Sequence, residues 1–182
     1  MGVGAALPAF LGDDDPGKPP ERQRPPKLSL VGSDETGRGK AKSLSVLVVE
    51  DDPAMRLLIV FNLTVSGFRV AEAATGEEGL RAARAESFDL VLLDVMLPDL
   101  GGFQVADRLR ADESTRSVPV VFISARTSKA DLARGRAVGA IDYVTKPFDP
   151  VRLATRLRED MDELERGGPA SVWELRFGPN DG

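Results

Sequence analysis

The sequence predicts a doubly wound α/β domain with five parallel strands and five helices. From Leu44 onward, short apolar runs alternate with segments of helical periodicity, a pattern that is typical of a parallel sheet with crossover helices. The apolar runs are continuous, as expected for strands that are buried on both faces. These observations place one domain in residues 44–166, with extensions at 1–43 and 167–182.

Turn and capping residues set the boundaries of the elements. Asp52 followed by Pro53 predicts the start of the first helix, because aspartate caps a helix N-terminus and proline fits the first turn. Gly67 ends this helix, and Gly101-Gly102 belongs to a loop before the third helix. The second strand is the weakest and is expected at an edge. The predicted strands cover 45–50, 68–73, 88–94, 119–124 and 141–145, and the predicted helices cover 53–66, 76–86, 103–112, 129–138 and 151–164.

The last predicted helix has an apolar face and an acidic face. An apolar stripe at helical spacing is expected to face the core. This stripe consists of Val151, Ala154, Leu157, Met161 and Leu164. The acidic residues are interpreted as a solvated face. They are Glu159, Asp160, Asp162 and Glu163.

The two extensions lack the pattern of the domain. Residues 1–43 hold six of the 13 prolines and seven of the 18 glycines. Such a segment buries too little apolar surface to offset its ordering entropy, so we expect disorder. The run from Gly32 is close to a phosphate-binding P-loop, but Arg38 and Gly39 replace the required lysine and hydroxyl. The tail around Trp173 leaves three alternatives open: an added strand, a disordered segment or a docking peptide.

Composition excludes several classes of chemistry. The chain has no cysteine and no histidine, which removes disulfide frameworks, Cys/His zinc sites, thiol nucleophiles and Ser-His-Asp triads. Its net charge of −5 argues against binding nucleic acid or an anionic membrane through bulk charge. No apolar run is long enough to span a membrane, and the apolar start lacks the basic segment of a signal peptide. We therefore expect a soluble, cytoplasmic protein.

Ionisable and hydroxyl side chains stand at the carboxyl ends of four predicted strands. Glu50 ends the first strand and Asp51 follows it, Asp94 ends the third, Ser124 ends the fourth, and Lys146 follows the fifth. Ligands of parallel sheets bind at this edge. Clustered carboxylates repel one another without a cation, and their oxygens suit Mg²⁺. The sequence therefore predicts a Mg²⁺ site at which Asp94 is a carboxylate nucleophile for a phosphoryl group, held by Ser124 and Lys146.

Four motifs, in this order, resemble the receiver domain of two-component response regulators. They are Val48-Val49-Glu50-Asp51-Asp52-Pro53, Leu92-Leu93-Asp94-Val95-Met96-Leu97-Pro98, Ile123-Ser124-Ala125-Arg126 and Asp142-Tyr143-Val144-Thr145-Lys146-Pro147-Phe148. The resemblance covers about two thirds of the chain. It implies flavodoxin-like winding with strand order 2-1-3-4-5.

The resemblance also implies a role for each site residue. Asp94 would be phosphorylated by a sensor histidine kinase or a phosphotransfer protein, with Ser124 and Lys146 as the other catalytic residues. Ser124 and Tyr143 would move together as the switch, and Tyr143 would swing inward. Met96 and Arg126 would tune the loss of the phosphoryl group. The implied Mg²⁺ ligands are Glu50 (through water), Asp51, Asp94 and the backbone carbonyl of Met96.

The implied output is a change in the surface formed by the fourth helix, the fifth strand and the fifth helix, which an unknown downstream protein would recognise. The residues after Gly167 are too few for a DNA-binding domain, so we expect a stand-alone receiver without direct DNA binding. It would be a monomer or a weak, phosphorylation-linked dimer. Asp142 and Arg156 match dimer salt-bridge positions of receivers that control transcription, but Arg152 stands where those dimers have an acid.

Three other functions compete with this one. A pseudo-receiver would signal without phosphate, but the set of five site residues is intact. A flavodoxin-like cofactor binder needs a hydroxyl- and glycine-rich loop after the first strand, where Glu50-Asp51-Asp52 would repel phosphate. A phosphohydrolase with an aspartate nucleophile needs a second aspartate two residues on, where Met96 stands.

Overall fold

A computed structural model describes residues 43–178, and what was predicted for residues 1–42 and 179–182 lies outside this range. Five parallel strands form one sheet in the order β2-β1-β3-β4-β5, which confirms the predicted fold class and winding. The strands are β1 Ser45–Val49, β2 Arg69–Ala73, β3 Leu90–Asp94, β4 Val120–Ser124 and β5 Asp142–Thr145. The helices are α1 Pro53–Val65, α2 Gly76–Ala85, α3 Gly102–Ala111, α4 Lys129–Ala137, α5 Pro150–Gly167 and α6 Pro169–Phe177.

The core has two layers, one on each face of the sheet. One layer packs side chains of α1 and α5, such as Ile59 and Leu157, on alternate residues of the strands. The other packs side chains of α2 and α3, such as Leu80 and Phe103, on the opposite set. Because both faces of the sheet are covered, the central strands are buried along their whole length, as their continuous apolar runs predicted.

The tail forms a sixth helix within the described residues, so neither an added strand nor a disordered segment is correct for residues 169–177. Pro169 occupies the first turn of α6, where its missing N–H costs nothing. Val172 packs into the layer of α1 and α5, and Trp173 packs into the other layer. The helix therefore lies along the sheet margin at β5, since β5 is an edge strand.

The core face of α5 differs from the prediction. Leu153 is buried, whereas Val151 is 70% exposed, because the buried face of α5 runs through Leu153, Ala154 and Leu157. Asp160 is completely buried, so its assignment to a solvated face is wrong. The reason is α6, whose Arg176 covers Asp160 and binds it at 2.7 Å.

Candidate functional site

Three carboxylates meet at the carboxyl edge of the sheet, as the order of the strands predicted. Glu50 and Asp51 follow β1, and Asp94 is the last residue of β3, which pairs with β1. Each residue offers one carboxylate oxygen, and these oxygens all lie within 4.8 Å of one another. Glu50 and Asp94 are buried, whereas Asp51 is exposed. The cluster is open to solvent on the side of Asp51.

Lys146 supplies the positive charge of this site. Its Nζ donates hydrogen bonds to Asp94 Oδ2 at 2.6 Å and to Glu50 Oε2 at 2.7 Å. The peptide bond between Lys146 and Pro147 is cis. Burial alone lowers the pKa of Lys146, but the bonds to Asp94 and Glu50 outweigh it and the pKa is raised. Burial raises the pKa of Glu50, since it exceeds the opposing effect of the Lys146 bond.

Ser124 ends β4, which pairs with β3 on the side opposite β1. The Ser124 side chain is completely buried, and its Oγ accepts a hydrogen bond of 3.0 Å from the Arg126 backbone N–H. The Ser124 carbonyl accepts a bond from the Lys146 backbone N–H at 2.8 Å. Strands β4 and β5 therefore hold Ser124 and Lys146 in a fixed relation to each other.

Tyr143 is already directed into the protein. Its side chain is only 1% exposed, and its hydroxyl donates a 2.7 Å hydrogen bond to the Arg126 carbonyl. Burial raises the pKa of Tyr143, so the phenol is neutral at physiological pH. The expected inward swing thus has no outward starting position in this structure.

Met96 and Arg126 occupy the rim of the site. The Met96 backbone N–H donates a 2.8 Å hydrogen bond to Asp94 Oδ1, while its side chain is exposed. The Arg126 side chain is also exposed and lies 3.8 Å from Asp131. Asp52 accepts a bond from the Met55 N–H at 2.7 Å. Asp52 is therefore a helix cap, as predicted, and stands apart from the carboxylate cluster.

Two residues that support the site were missed from the sequence. Arg56, on α1, donates to the backbone carbonyls of Glu50 and Asp51 at 2.7 and 3.2 Å. It thereby fixes the loop that presents both carboxylates. Gly102 begins α3 against the Asp94 carbonyl, and a Cβ there would lie only 2.1 Å from that oxygen. Neither residue has a signal in the sequence. Gly102 is one of two adjacent glycines in a predicted loop, and Arg56 lies in the first predicted helix without any distinguishing pattern.

Asp142 and Arg156 pair within the chain. Arg156 binds Asp142 through two nitrogens, at 2.6 and 2.8 Å, and Asp142 is completely buried. Arg152 is exposed and lies 3.7 Å from Asp149. In this structure, the two residues that match dimer salt-bridge positions therefore form an ion pair with each other within one chain. The oligomeric state stays a prediction.

Comparison with known proteins identifies the class that this fold and site define. The family model described as "Response regulator receiver domain" matches residues 46–158, and the chain belongs to that family. It is 41% identical over 134 residues to the transcriptional regulatory protein AfsQ1 of Streptomyces coelicolor, covering 74% of this chain and 57% of AfsQ1. The chain thus spans about half the length of the curated relatives it matches.

Solved receiver structures agree with this classification. The chemotaxis protein CheY4 of Vibrio cholerae superposes with a TM-score of 0.62 at 31% identity, covering 64% of this chain and 98% of CheY4. The receiver domain of the sensor histidine kinase PA1611 of Pseudomonas aeruginosa gives a TM-score of 0.61 at 31% identity, with 66% and 98% coverage. That structure is described with a magnesium ion coordinated in the active site cleft.

Two expectations need qualification against these findings. Relatives such as AfsQ1 are named as transcriptional regulators, so the expected stand-alone organisation and lack of DNA binding are not confirmed.

Among the described residues, no helix is long and apolar enough to cross a membrane.

Proposed function

We propose that this chain is a phosphorylation-dependent signalling switch in which Asp94 accepts a phosphoryl group. The observation that carries the proposal is the Lys146 ammonium bound to Asp94 at 2.6 Å, beside a cluster of three carboxylates. A phosphoryl group is itself anionic, so a nucleophilic carboxylate needs a cation on the approach path. Lys146 provides one such cation next to the reacting oxygen.

The carboxylate cluster fits a divalent cation. The one ammonium group binds two of the three carboxylates, Glu50 and Asp94, which leaves excess negative charge, and Asp51 is exposed at the open side of the cluster. Mg²⁺ is held in such sites by one or more carboxylates, a carbonyl and waters. We propose Asp51, Asp94 and the Met96 carbonyl as its ligands, with Glu50 acting through water. When bound, the ion supplies positive charge that offsets repulsion between the carboxylates and the phosphoryl oxygens.

The proposed chemistry is a single transfer from the donor to the carboxylate. An oxygen of Asp94 forms a bond to phosphorus as the bond between phosphorus and the donor breaks. The donor is a phosphohistidine of a kinase or phosphotransfer protein, or acetyl phosphate, and the leaving imidazole or acetate keeps the electron pair. Lys146 stays protonated throughout, because its pKa is raised, and pairs with the developing charge. Water attack on phosphorus later regenerates Asp94.

The proposed switch uses Ser124 and the loop that follows it. A phosphoryl group adds roughly −1.5 to −2 charges next to Lys146 and Ser124. If Oγ of Ser124 turns to donate to this group, the Arg126 N–H loses its acceptor. Arg126 also holds the Tyr143 hydroxyl, so the change passes to β5 and to the surface formed by α4, β5 and α5, here called the output surface.

We propose that a downstream protein binds the output surface, and that the protein works in the cytoplasm with its phosphoryl donor. Support comes from the hydrogen bond between the Tyr143 hydroxyl and the Arg126 carbonyl, which links the phosphorylation site to this surface. The net charge of −5 disfavours direct binding to DNA, whose backbone is anionic. The stand-alone organisation remains a prediction, and the mass of the native protein in its source cells tests it.

Intact-mass spectrometry after incubation with acetyl phosphate and Mg²⁺ tests the proposed function. We expect one phosphoryl adduct on the native chain, none on Asp94→Asn, and none when EDTA is added. Asp52→Asn is the matched control, because Asp52 only caps α1 and its variant should still be phosphorylated. Asp51→Asn should not. Absence of the adduct from the folded native chain would favour the pseudo-receiver instead.

A further inference from the structure

Helix α6 occupies the output surface. It packs against α5 and β5, and its residues Val172 and Trp173 are buried. On the side of α4, Trp173 faces Arg136, whose guanidinium carbon lies 5.9 Å from the indole ring centre. The surface through which a receiver of this proposed function would signal is therefore already covered by a segment of the same chain.

An arginine anchors α6 to acids of this surface. Arg176 donates to Asp160 Oδ1 at 2.7 Å and to Glu159 Oε2 at 3.0 Å, and its Nε lies 4.0 Å from Asp142 Oδ2. Arg176 also donates to the Arg156 backbone carbonyl at 3.0 Å. Without Arg176, and among the residues named here, the three acids would have only the Arg156 guanidinium nearby, so the part of the surface that Arg176 covers has an excess of acids.

The fit between α6 and its surroundings is incomplete. An open groove of about 430 Å³ lies between α4 and α6, with Leu132, Trp173 and Phe177 in its lining. A second open groove, of about 440 Å³, lies between β5, α5 and α6 and is lined in part by Tyr143 and Phe177. Solvent therefore reaches both flanks of α6. Asp160 Oδ2 is buried and has no hydrogen-bond partner among the described residues, which is unusual in a permanent core.

The short length of α6 and its glycine linker also favour its replacement by a segment of another protein. The helix has nine residues, fewer than an isolated helix needs to be stable in water. It follows Gly167 and Gly168, and Gly168 has a φ of +80°. The helix thus depends on its docking contacts for its structure. If it leaves, the apolar contacts of Val172 and Trp173 and the acids bound by Arg176 are exposed to solvent.

We propose that the output surface is a binding site for a short helix that carries an aromatic residue and, three positions later, an arginine, and that α6 is its intramolecular occupant. A downstream protein with such a helix must compete with α6. The aromatic residue fills the place of Trp173, and the arginine pairs with Asp160 and Glu159. This inference rests on the proposed function only for the identity of the surface, because the binding itself needs no phosphorylation.

The sole tryptophan of the chain provides the readout. Trp173 is the only tryptophan among 182 residues, so the full-length variant Trp173→Ala/Arg176→Ala is free of tryptophan and lacks both anchors of α6. A synthetic peptide with the sequence of residues 168–178 carries its own tryptophan. When it is titrated with this variant, we expect its emission to shift to shorter wavelength and to be protected from acrylamide.

Two controls show whether the peptide binds at the place that α6 occupies. The variant Trp173→Phe is also free of tryptophan but keeps an aromatic residue and Arg176, so its site stays occupied and should bind the peptide about tenfold more weakly or worse. A peptide with alanine in place of its arginine should also bind about tenfold more weakly. Equal binding to both variants, or no binding to the folded double variant at about millimolar concentration, overturns the proposal.

A separate measurement covers the case in which the double variant does not fold. In Arg176→Ala, we expect Trp173 to become accessible to acrylamide while the thermal transition of the domain is retained. If Trp173 stays protected, or if the whole domain unfolds, α6 is a fixed part of the core and the proposal is wrong. All of these assays omit Mg²⁺ and phosphoryl donor, so their failure is distinct from failure of Asp94 phosphorylation.

Discussion

Lys146 donates a 2.6 Å hydrogen bond to Asp94, although Asp94 ends β3, Lys146 follows β5, and β4 lies between these two strands. The same ammonium group reaches Glu50 at 2.7 Å. One lysine therefore compensates two buried carboxylates, and it lies where a phosphoryl group on Asp94 would need a counter-charge. Lys146 therefore contributes both to the stability of the site and to the proposed phosphoryl transfer, and experiments can measure these two roles separately.

Replacing Lys146 should make stability depend on Mg²⁺. In Lys146→Met, Glu50 and Asp94 lose their ammonium partner, and an uncompensated buried charge is strongly destabilising. Because Lys146 is partly exposed at 17%, we expect a loss of about 2 kcal/mol in the free energy of unfolding in EDTA. Mg²⁺ should restore more stability to this variant than to the native protein.

Urea denaturation with EDTA and with Mg²⁺ measures both effects. The exposed Lys129→Met is the matched control, because it also removes one lysine charge, and it should change neither value by more than about 0.5 kcal/mol. A Lys146→Met variant that responds to Mg²⁺ no more than the native protein would show that the carboxylates do not form the metal site.

Two adjacent glycines should differ sharply in their tolerance of alanine. A Cβ on Gly102 would lie 2.1 Å from the Asp94 carbonyl oxygen and 2.8 Å from the Val95 Cα, both of which are backbone atoms, whereas at Gly101 the nearest contact is 3.9 Å. We expect Gly102→Ala to lose at least about 2 kcal/mol of unfolding free energy. Gly101→Ala should change it by less than about 1 kcal/mol. Equal melting temperatures for the two variants would contradict the close approach of α3 to β3.

Asp160 should make the stability of the native protein decrease as pH rises. Burial, followed by the charge of Asp142, raises the pKa of Asp160 from 3.8 to about 7, although Arg176 opposes the shift. The folded protein therefore holds a proton that the unfolded chain releases. The stabilising contribution is complete below about pH 4 and is lost as pH rises to about 7.

Chemical denaturation at about pH 5 and about pH 8 tests this sign. In Asp160→Asn, which keeps the shape of the side chain without a titrating group, the loss between the two pH values should be smaller. Asp162→Asn removes an exposed acid from the same helix and should behave as the native protein does. An Asp160→Asn variant with an unchanged pH profile would mean that Asp160 is ionised throughout.

The convergence of the site was predictable because parallel strands end at one edge. Knowing that Asp94 ends one strand and that Glu50 and Lys146 follow two others was sufficient to bring them together. The packing of α6 was not predictable in the same way. Gly168-Pro169 marks the end of α5 as well as the start of α6, and the apolar residues of the tail alternate with charged ones.

The wrong prediction for Asp160 arose because α6 was not predicted. An acid in an acidic run is normally solvated, and only contact with Arg176, 16 residues later, buries it. The buried position of Tyr143 likewise depends on a backbone carbonyl in the loop after β4. Interactions between side chains and distant backbone atoms leave no periodic signal in a sequence, so both required the structure.

Locating the phosphoryl group within the chain tests the central claim most directly. Borohydride reduces an aspartyl phosphate to homoserine, which tandem mass spectrometry of the digested protein assigns to a position. After incubation with acetyl phosphate and Mg²⁺, the proposed function predicts homoserine at position 94 alone. Homoserine at position 51 or 52, or equal modification with and without Mg²⁺, would contradict the proposed roles of Asp94 and the carboxylate cluster.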